Sequence, residues 1–116
     1  MKALVKVSKG VGNWHVIDKP EPVVGERQVK IRVEYIGICG SDLHTFEGHY
    51  NADAEGLTIG HEFAGVVAEV GAGVTNIKVG DRVTSETTFK ICGHCRYCRR
   101  GEYNLCSSRK GLGTQQ

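Results

Sequence analysis

No long apolar run occurs anywhere in the 116 residues. The opening stretch MKALVKVSKGVGNW breaks its apolar residues with lysines and lacks the apolar segment of a signal peptide. Nothing downstream approaches the roughly 20 apolar residues of a membrane span. A membrane-spanning helical protein is thereby excluded, no membrane partner is expected, and the cytoplasm is the expected compartment. An excess of one charge is missing too: the formal net charge is +2, too small and scattered to argue for nucleic acid. Also absent are internal repeats, low-complexity tracts and any segment of ten or more residues with a helical stripe. A dinucleotide fold needs Gly-x-Gly-x-x-Gly between a strand and a helix. The nearest approach, Gly71, Gly73 and then Asn76 in VGAGVTN, runs into another strand-like segment and reads as a turn. The cysteine count, five, is odd, unlike a secreted disulfide framework. In a reducing compartment disulfides rarely persist.

What remains is the composition of one compact domain, with 40% hydrophobic and 24% charged residues. In QVKIRVEYIG, Val29, Ile31, Val33 and Tyr35 alternate with Lys30, Arg32 and Glu34, a period of two that predicts a strand with one face buried. Shorter runs at Ala3 to Val7, Trp14 to Ile17, Phe63 to Val70 and Lys78 to Val83 read the same way. Sixteen glycines punctuate them, so the expected class is mainly β, a barrel or sandwich with short helical turns. One such turn is expected over Ser41 to Glu47, capped by Ser41 or Asp42, with Leu43 and Phe46 sharing a face.

The segment ICGHCRYCRRGEYNLC has hardly any apolar residue to pack a core, yet it holds four of the five cysteines. Cys92, Cys95 and Cys98 lie three apart and Cys106 follows after a seven-residue insert. A tight turn can gather those four sulfurs around one tetrahedral zinc ion, whose binding would replace the missing core over residues 90–110. Two disulfides or bystander thiols are the alternative reading. Four thiolates on a divalent cation carry a surplus of negative charge, and Lys90, Arg96, Arg99 and Arg100 stand nearby to offset it. A rival meaning of that basic cluster is a zinc ribbon that contacts nucleic acid or protein. Elsewhere Cys39, His61 and Glu62 offer sulfur, nitrogen and oxygen, a mixed set typical of a zinc site with an open position. Taken singly, a lone cysteine reads as packing and Gly-His-Glu as a surface turn.

The run GHEFAGVVAEVGAGVTNIKVGDRV, between a CGSDLH element and the four-cysteine lobe, resembles the zinc alcohol dehydrogenase signature at each glycine. The chain is similar over nearly all its length to the N-terminal, GroES-like catalytic domain of medium-chain zinc-dependent dehydrogenases, in particular the sorbitol (iditol) and threonine dehydrogenase branch. That resemblance implies a GroES-like β-barrel with a zinc-binding lobe. It makes Cys39 and His61 ligands of a catalytic zinc and Glu62 a third ligand or a carboxylate that exchanges with water. In that family the third protein ligand is a cysteine downstream of the lobe, or in the polyol branch a further glutamate; neither position falls in these residues. Ser41 corresponds to the hydroxyl that takes the substrate proton and His44 to the histidine that passes it to solvent. Asp42 corresponds to the carboxylate that orients the ligating histidine.

Two zinc sites are implied, one catalytic and one structural. So are NAD or NADP as hydride acceptor and a small alcohol or polyol as substrate, in a full-length enzyme expected to be a homo-oligomer. Family members continue after a GLGTQQ-like stretch into a Rossmann domain. Residues 1–116 are therefore expected to be a truncated catalytic domain without it, inactive alone. The readings carried alongside are a zinc-ribbon module and a non-enzymatic barrel used for assembly. Phe46, Tyr50 and Phe89 are candidate pocket residues.

Overall fold

A computed structural model describes residues 1–114; Gln115 and Gln116, the end of the GLGTQQ stretch, lie outside the described residues. The chain opens with β1 (Lys2–Lys6), β2 (Trp14–Asp18) and β3 (Val29–Gly37), then α1 (Gly40–Phe46) and the two-residue β4 (Leu57–Thr58). It continues through β5 (Glu62–Val70), β6 (Arg82–Thr84), β7 (Thr88–Lys90), α2 (Arg96–Arg99), a 3-10 turn at Tyr103–Leu105 and β8 (Lys110–Gly111). Among the described residues three antiparallel sheets result, ordered β2-β1-β4, β3-β5-β6 and β7-β8. The mainly-β class with short helical turns is as the glycine-punctuated sequence predicts. No helix among the described residues is long and apolar enough to cross a membrane.

Alternation in β3 does not translate into one buried face. Val29 and Ile31 are half-buried, whereas Val33 and Tyr35 are 49% and 74% exposed. Two register shifts, after Lys30 and after Val33, break the period of two, and β3 is the outer strand of its sheet. The Lys78 to Val83 strand is also shorter than expected. Lys78 to Asp81 forms a turn, in which the Asp81 carboxylate accepts from the Lys78 N–H at 3.0 Å, and pairing begins only at Arg82. VGAGVTN is a turn, as expected.

Full burial of aliphatic side chains is confined, among the described residues, to Ala3, Val5, Leu57 and Val67. Between them Lys6 is wholly buried, its ammonium donating to the carbonyls of Gly10 and Gly12. A buried cation of this kind needs such partners, and here they also fix the Val7–Asn13 loop, closed by a 2.9 Å bond from Val7 N–H to Asn13 O. At the centre of the β3–β5 ladder, a Cβ on Gly65 would stand 2.3 Å from the Arg32 carbonyl oxygen and 2.8 Å from Ile31 Cγ2. The neighbouring strand's backbone cannot yield cheaply. Gly65→Ala is therefore expected to lower stability by about 1–3 kcal/mol, the range for an overpacked site. A urea midpoint equal to that of the parent chain would refute this.

Candidate active site and metal centres

The antiparallel ladder of β3 and β5 ends with Ile36 opposite Phe63 and Gly37 opposite Glu62. Cys39 lies just beyond that end and His61 just before it, so strand pairing itself delivers Cys39, His61 and Glu62 to one spot. Their donor atoms lie within 4.8 Å of one another. Cys39 is extended, with φ −83 and ψ 157, and is the N-cap of α1. Ser41 and Asp42 are thus inside the helix rather than capping it from in front. Asp42 stabilises the start from the third helical position, its Oδ2 accepting the Cys39 N–H at 2.9 Å. The face of α1 that packs is correspondingly polar: Asp42 and Thr45 are buried while Leu43 is exposed.

Asp42 does more than cap. Its Oδ1 stands 3.4 Å from Nδ1 of the buried His61, a ring nitrogen that makes no hydrogen bond among the described residues. A buried carboxylate on that side favours the tautomer protonated at Nδ1. Nε2 then keeps its lone pair, facing Ser41 Oγ at 3.4 Å. One carboxylate thereby holds the backbone N–H of Cys39 and faces the ring of His61, and the sulfur, nitrogen and oxygen donors fit a divalent zinc ion. Gly37, which no motif marked, makes room for the third donor: a Cβ there would meet Glu62 Oε2 at 2.7 Å. A glycine aligned across from the ladder's terminal carboxylate is the signal that could have found it.

Ser41 and His61 line a cleft of about 390 Å³ with Tyr50, Thr87, Arg109 and Leu112. Of the three aromatic candidates only Tyr50 belongs to it. Phe46 stands edge-on to Trp14, ring centroids 5.4 Å apart, and Phe89 is exposed. Thr87, Arg109 and Leu112 come from the two ends of the cysteine lobe, and no local pattern connects them to Ser41. His44 follows Ser41 by three positions, so the two are neighbours on the surface of α1, with His44 exposed to solvent.

In the lobe, β7 and β8 pair through Thr88 with Gly111 and Lys90 with Lys110, closing the segment between them. All five cysteines are free thiols. The Sγ atoms of Cys95 and Cys98 are 3.5 Å apart, those of Cys106 and Cys92 are 3.7 Å apart, and those of Cys92 and Cys98 are 3.9 Å apart. Four sulfurs each about 2.3 Å from a zinc ion form a tetrahedron with edges of about 3.8 Å, so the spacing fits that ion. N–H groups of Cys92, Cys95 and Cys98 donate to the sulfurs of Cys106, Cys92 and Cys95 at 3.5, 3.4 and 3.4 Å. Arg96, one of the basic residues of the lobe, places its guanidinium over the Tyr97 ring, 4.5 Å from the centroid. The backbone amides of His94 and Cys95 lower the Cys92 thiol to about 6, while burial and the neighbouring Cys95 thiol push Cys98 up to about 12. Thiols this close resist ionising together unless a cation joins them.

The pattern of the alcohol dehydrogenase GroES-like domain matches residues 25–116. A sorbitol dehydrogenase of Halalkalibacterium halodurans is 62% identical over the whole chain, and a D-arabitol-phosphate dehydrogenase of Enterococcus avium is 53% identical over the whole chain. The chain covers 34% and 33% of those relatives, about a third of their length. Among solved structures, one described as a zinc-binding dehydrogenase from Sinorhizobium meliloti 1021, bound to NADP, superposes with a TM-score of 0.84 at 35% identity. It is matched over 99% of this chain and 32% of its own.

Proposed function

As a member of the alcohol dehydrogenase GroES-like domain family, the chain, we propose, is the catalytic domain (1–116) of a zinc-dependent, NAD- or NADP-linked dehydrogenase acting on a small alcohol or polyol. The observation that carries this reading is the convergence of Cys39, His61 and Glu62 beside a cleft that Ser41 also lines. A zinc ion held there would act as Lewis acid on the substrate hydroxyl, and a nicotinamide supplied by another domain would accept the hydride.

The chain's own residues perform the remaining tasks. Asp42 holds the Cys39 backbone and the His61 ring so that sulfur and Nε2 face one point. Ser41 Oγ, beside His61 Nε2, would accept the proton of the substrate hydroxyl while releasing its own proton towards His44. His44, one turn on and open to solvent, carries that proton out. The hydroxyls of Tyr50 and Thr87 and the guanidinium of Arg109 offer a polyhydroxylated substrate hydrogen bonds along the cleft, in keeping with the polyol names of the two relatives. Cys92, Cys95, Cys98 and Cys106, with all four positions filled by sulfur, hold a second zinc whose work is structural. Cysteines that serve as zinc ligands rather than pairing in disulfides suit the cytoplasm.

Metal content separates this reading from a zinc ribbon, which needs the lobe alone. Desalted protein is expected to contain two zinc ions per chain. Graded chelation should remove the ion at Cys39 first, because that site has fewer thiolates and an open position. A single zinc after loading with excess metal would count against the reading, as would loss of both ions in one step.

A further inference from the structure

Three side chains outside the cleft converge at the C-terminal end of α1. His44, Glu47 and His49 have donor atoms within 4.8 Å of one another. A helix-ending turn builds this convergence. Gly48 takes the left-handed conformation, φ +80, that a non-glycine residue resists. Its N–H donates to Thr45 O at 3.3 Å, while the His49 N–H reaches back to His44 O at 2.9 Å. These paired bonds are those of a Schellman ending. His49 is folded back onto the turn that carries His44, with ring centroids 5.7 Å apart.

Nδ1 of His44 and Nδ1 of His49 are 3.5 Å apart. Glu47 Oε2 stands 3.5 Å from the second and 3.8 Å from the first. These separations exceed the roughly 2.7–3.2 Å of ordinary hydrogen bonds. They match the edges around a shared ion instead: a point in the plane of the three atoms lies about 2.1 Å from each, the length of a bond from zinc to imidazole nitrogen or carboxylate oxygen. Two imidazoles and a carboxylate form a donor set that suits first-row divalent ions. All three residues are exposed, so water can fill the remaining positions. The site also lies at the helix end that favours positive charge.

We propose that His44, Glu47 and His49 form a third, readily exchanging site for a divalent transition-metal ion, bound through the two Nδ1 atoms and Oε2. This inference holds whether or not the Cys39 cluster carries zinc. The probe is Ni²⁺ added to the zinc-loaded, desalted 116-residue chain, read by uptake and by broadening of imidazole resonances. One Ni²⁺ per chain is expected beyond the bound zinc, with broadening confined to His44 and His49 while His15 and His94 stay sharp. His49→Ala and Glu47→Gln should each weaken Ni²⁺ binding at least tenfold, since losing even an outer partner of a metal ligand costs about 10–100-fold. His15→Ala should leave it unchanged. Glu47→Gln keeps the size of the side chain, so it carries the test should His49→Ala disturb the turn. Absence of Ni²⁺ uptake beyond the zinc overturns the proposal, as does equal broadening at all exposed histidines. Unchanged affinity in the Glu47→Gln chain does the same.

Discussion

In a protein that joins this domain to a nucleotide-binding domain, His61→Ala is expected to lower nicotinamide-dependent turnover by more than roughly 1,000-fold, because Lewis-acid stabilisation is worth several kcal/mol. The argument rests on where His61 sits. It is buried, its Nδ1 faces the Asp42 carboxylate and its Nε2 faces Ser41. No neighbouring imidazole can take its place in the cleft, and alanine leaves Asp42 a buried carboxylate without its ring. His44→Ala is a different case. A solvent-exposed relay contributes at the low end of acid–base catalysis, roughly 100-fold, and an added buffer base can substitute for it. The rate of the His44→Ala enzyme should therefore rise with imidazole concentration, while that of His61→Ala should not. Residues 1–116 alone should show no such oxidation of sorbitol or threonine, since hydride transfer needs a nicotinamide held at the cleft. Normal turnover in the joined His61→Ala protein, or activity in the 116-residue chain, would sink the assignment.

Replacing Cys106 with serine is expected to remove one zinc per chain and to collapse amide protection between β7 and β8. Cys106 is 3% exposed and its sulfur is in contact with both the Cys92 sulfur and the Cys92 N–H. The lobe has almost nothing else to hold it, because its fully buried side chains are Cys98 and Cys106 themselves. Metal binding in such a segment is folding free energy. Zinc affinity should fall by at least about 100-fold, the upper cost of losing a mere outer-shell partner. Sheets β2-β1-β4 and β3-β5-β6, which share no strand with the lobe, should keep their protection. A Cys106→Ser chain with full zinc and native hydrogen exchange over residues 91–109 would refute a structural role for this cluster.

These sites were legible in the sequence to different degrees. The lobe could be read because its four cysteines are close in the chain and their spacing alone limits the geometry. Cys39 and His61 could be paired only through the resemblance, since what joins them is the register of Gly37 against Glu62 across two strands. The resemblance gives Asp42 as an orienting group, but its hold on the Cys39 amide depends on Cys39 being the cap, a role that residue type does not favour. Arg109 and Thr87 in the cleft were invisible, for they arrive by the pairing of β7 with β8. The exposure of Val33 and Tyr35 escaped as well, because alternation records a strand's period and says nothing about bulges or about what covers it. The turn that brings His49 beside His44 hinges on the conformation of Gly48, which no periodicity reveals.

The two cysteine-containing clusters proposed to hold zinc differ in how far apart along the chain their donors lie. Cys92 to Cys106 is a short local segment, and closing a short loop costs little entropy. It can gather its ion while the rest of the polypeptide is still unfolded. Cys39 and His61 meet only after β3 and β5 have paired, a long-range contact of the kind that slows folding. During synthesis or refolding with zinc present, the lobe should thus load early and the Cys39–His61 cluster last, so that occupancy of the second cluster marks completion of the fold.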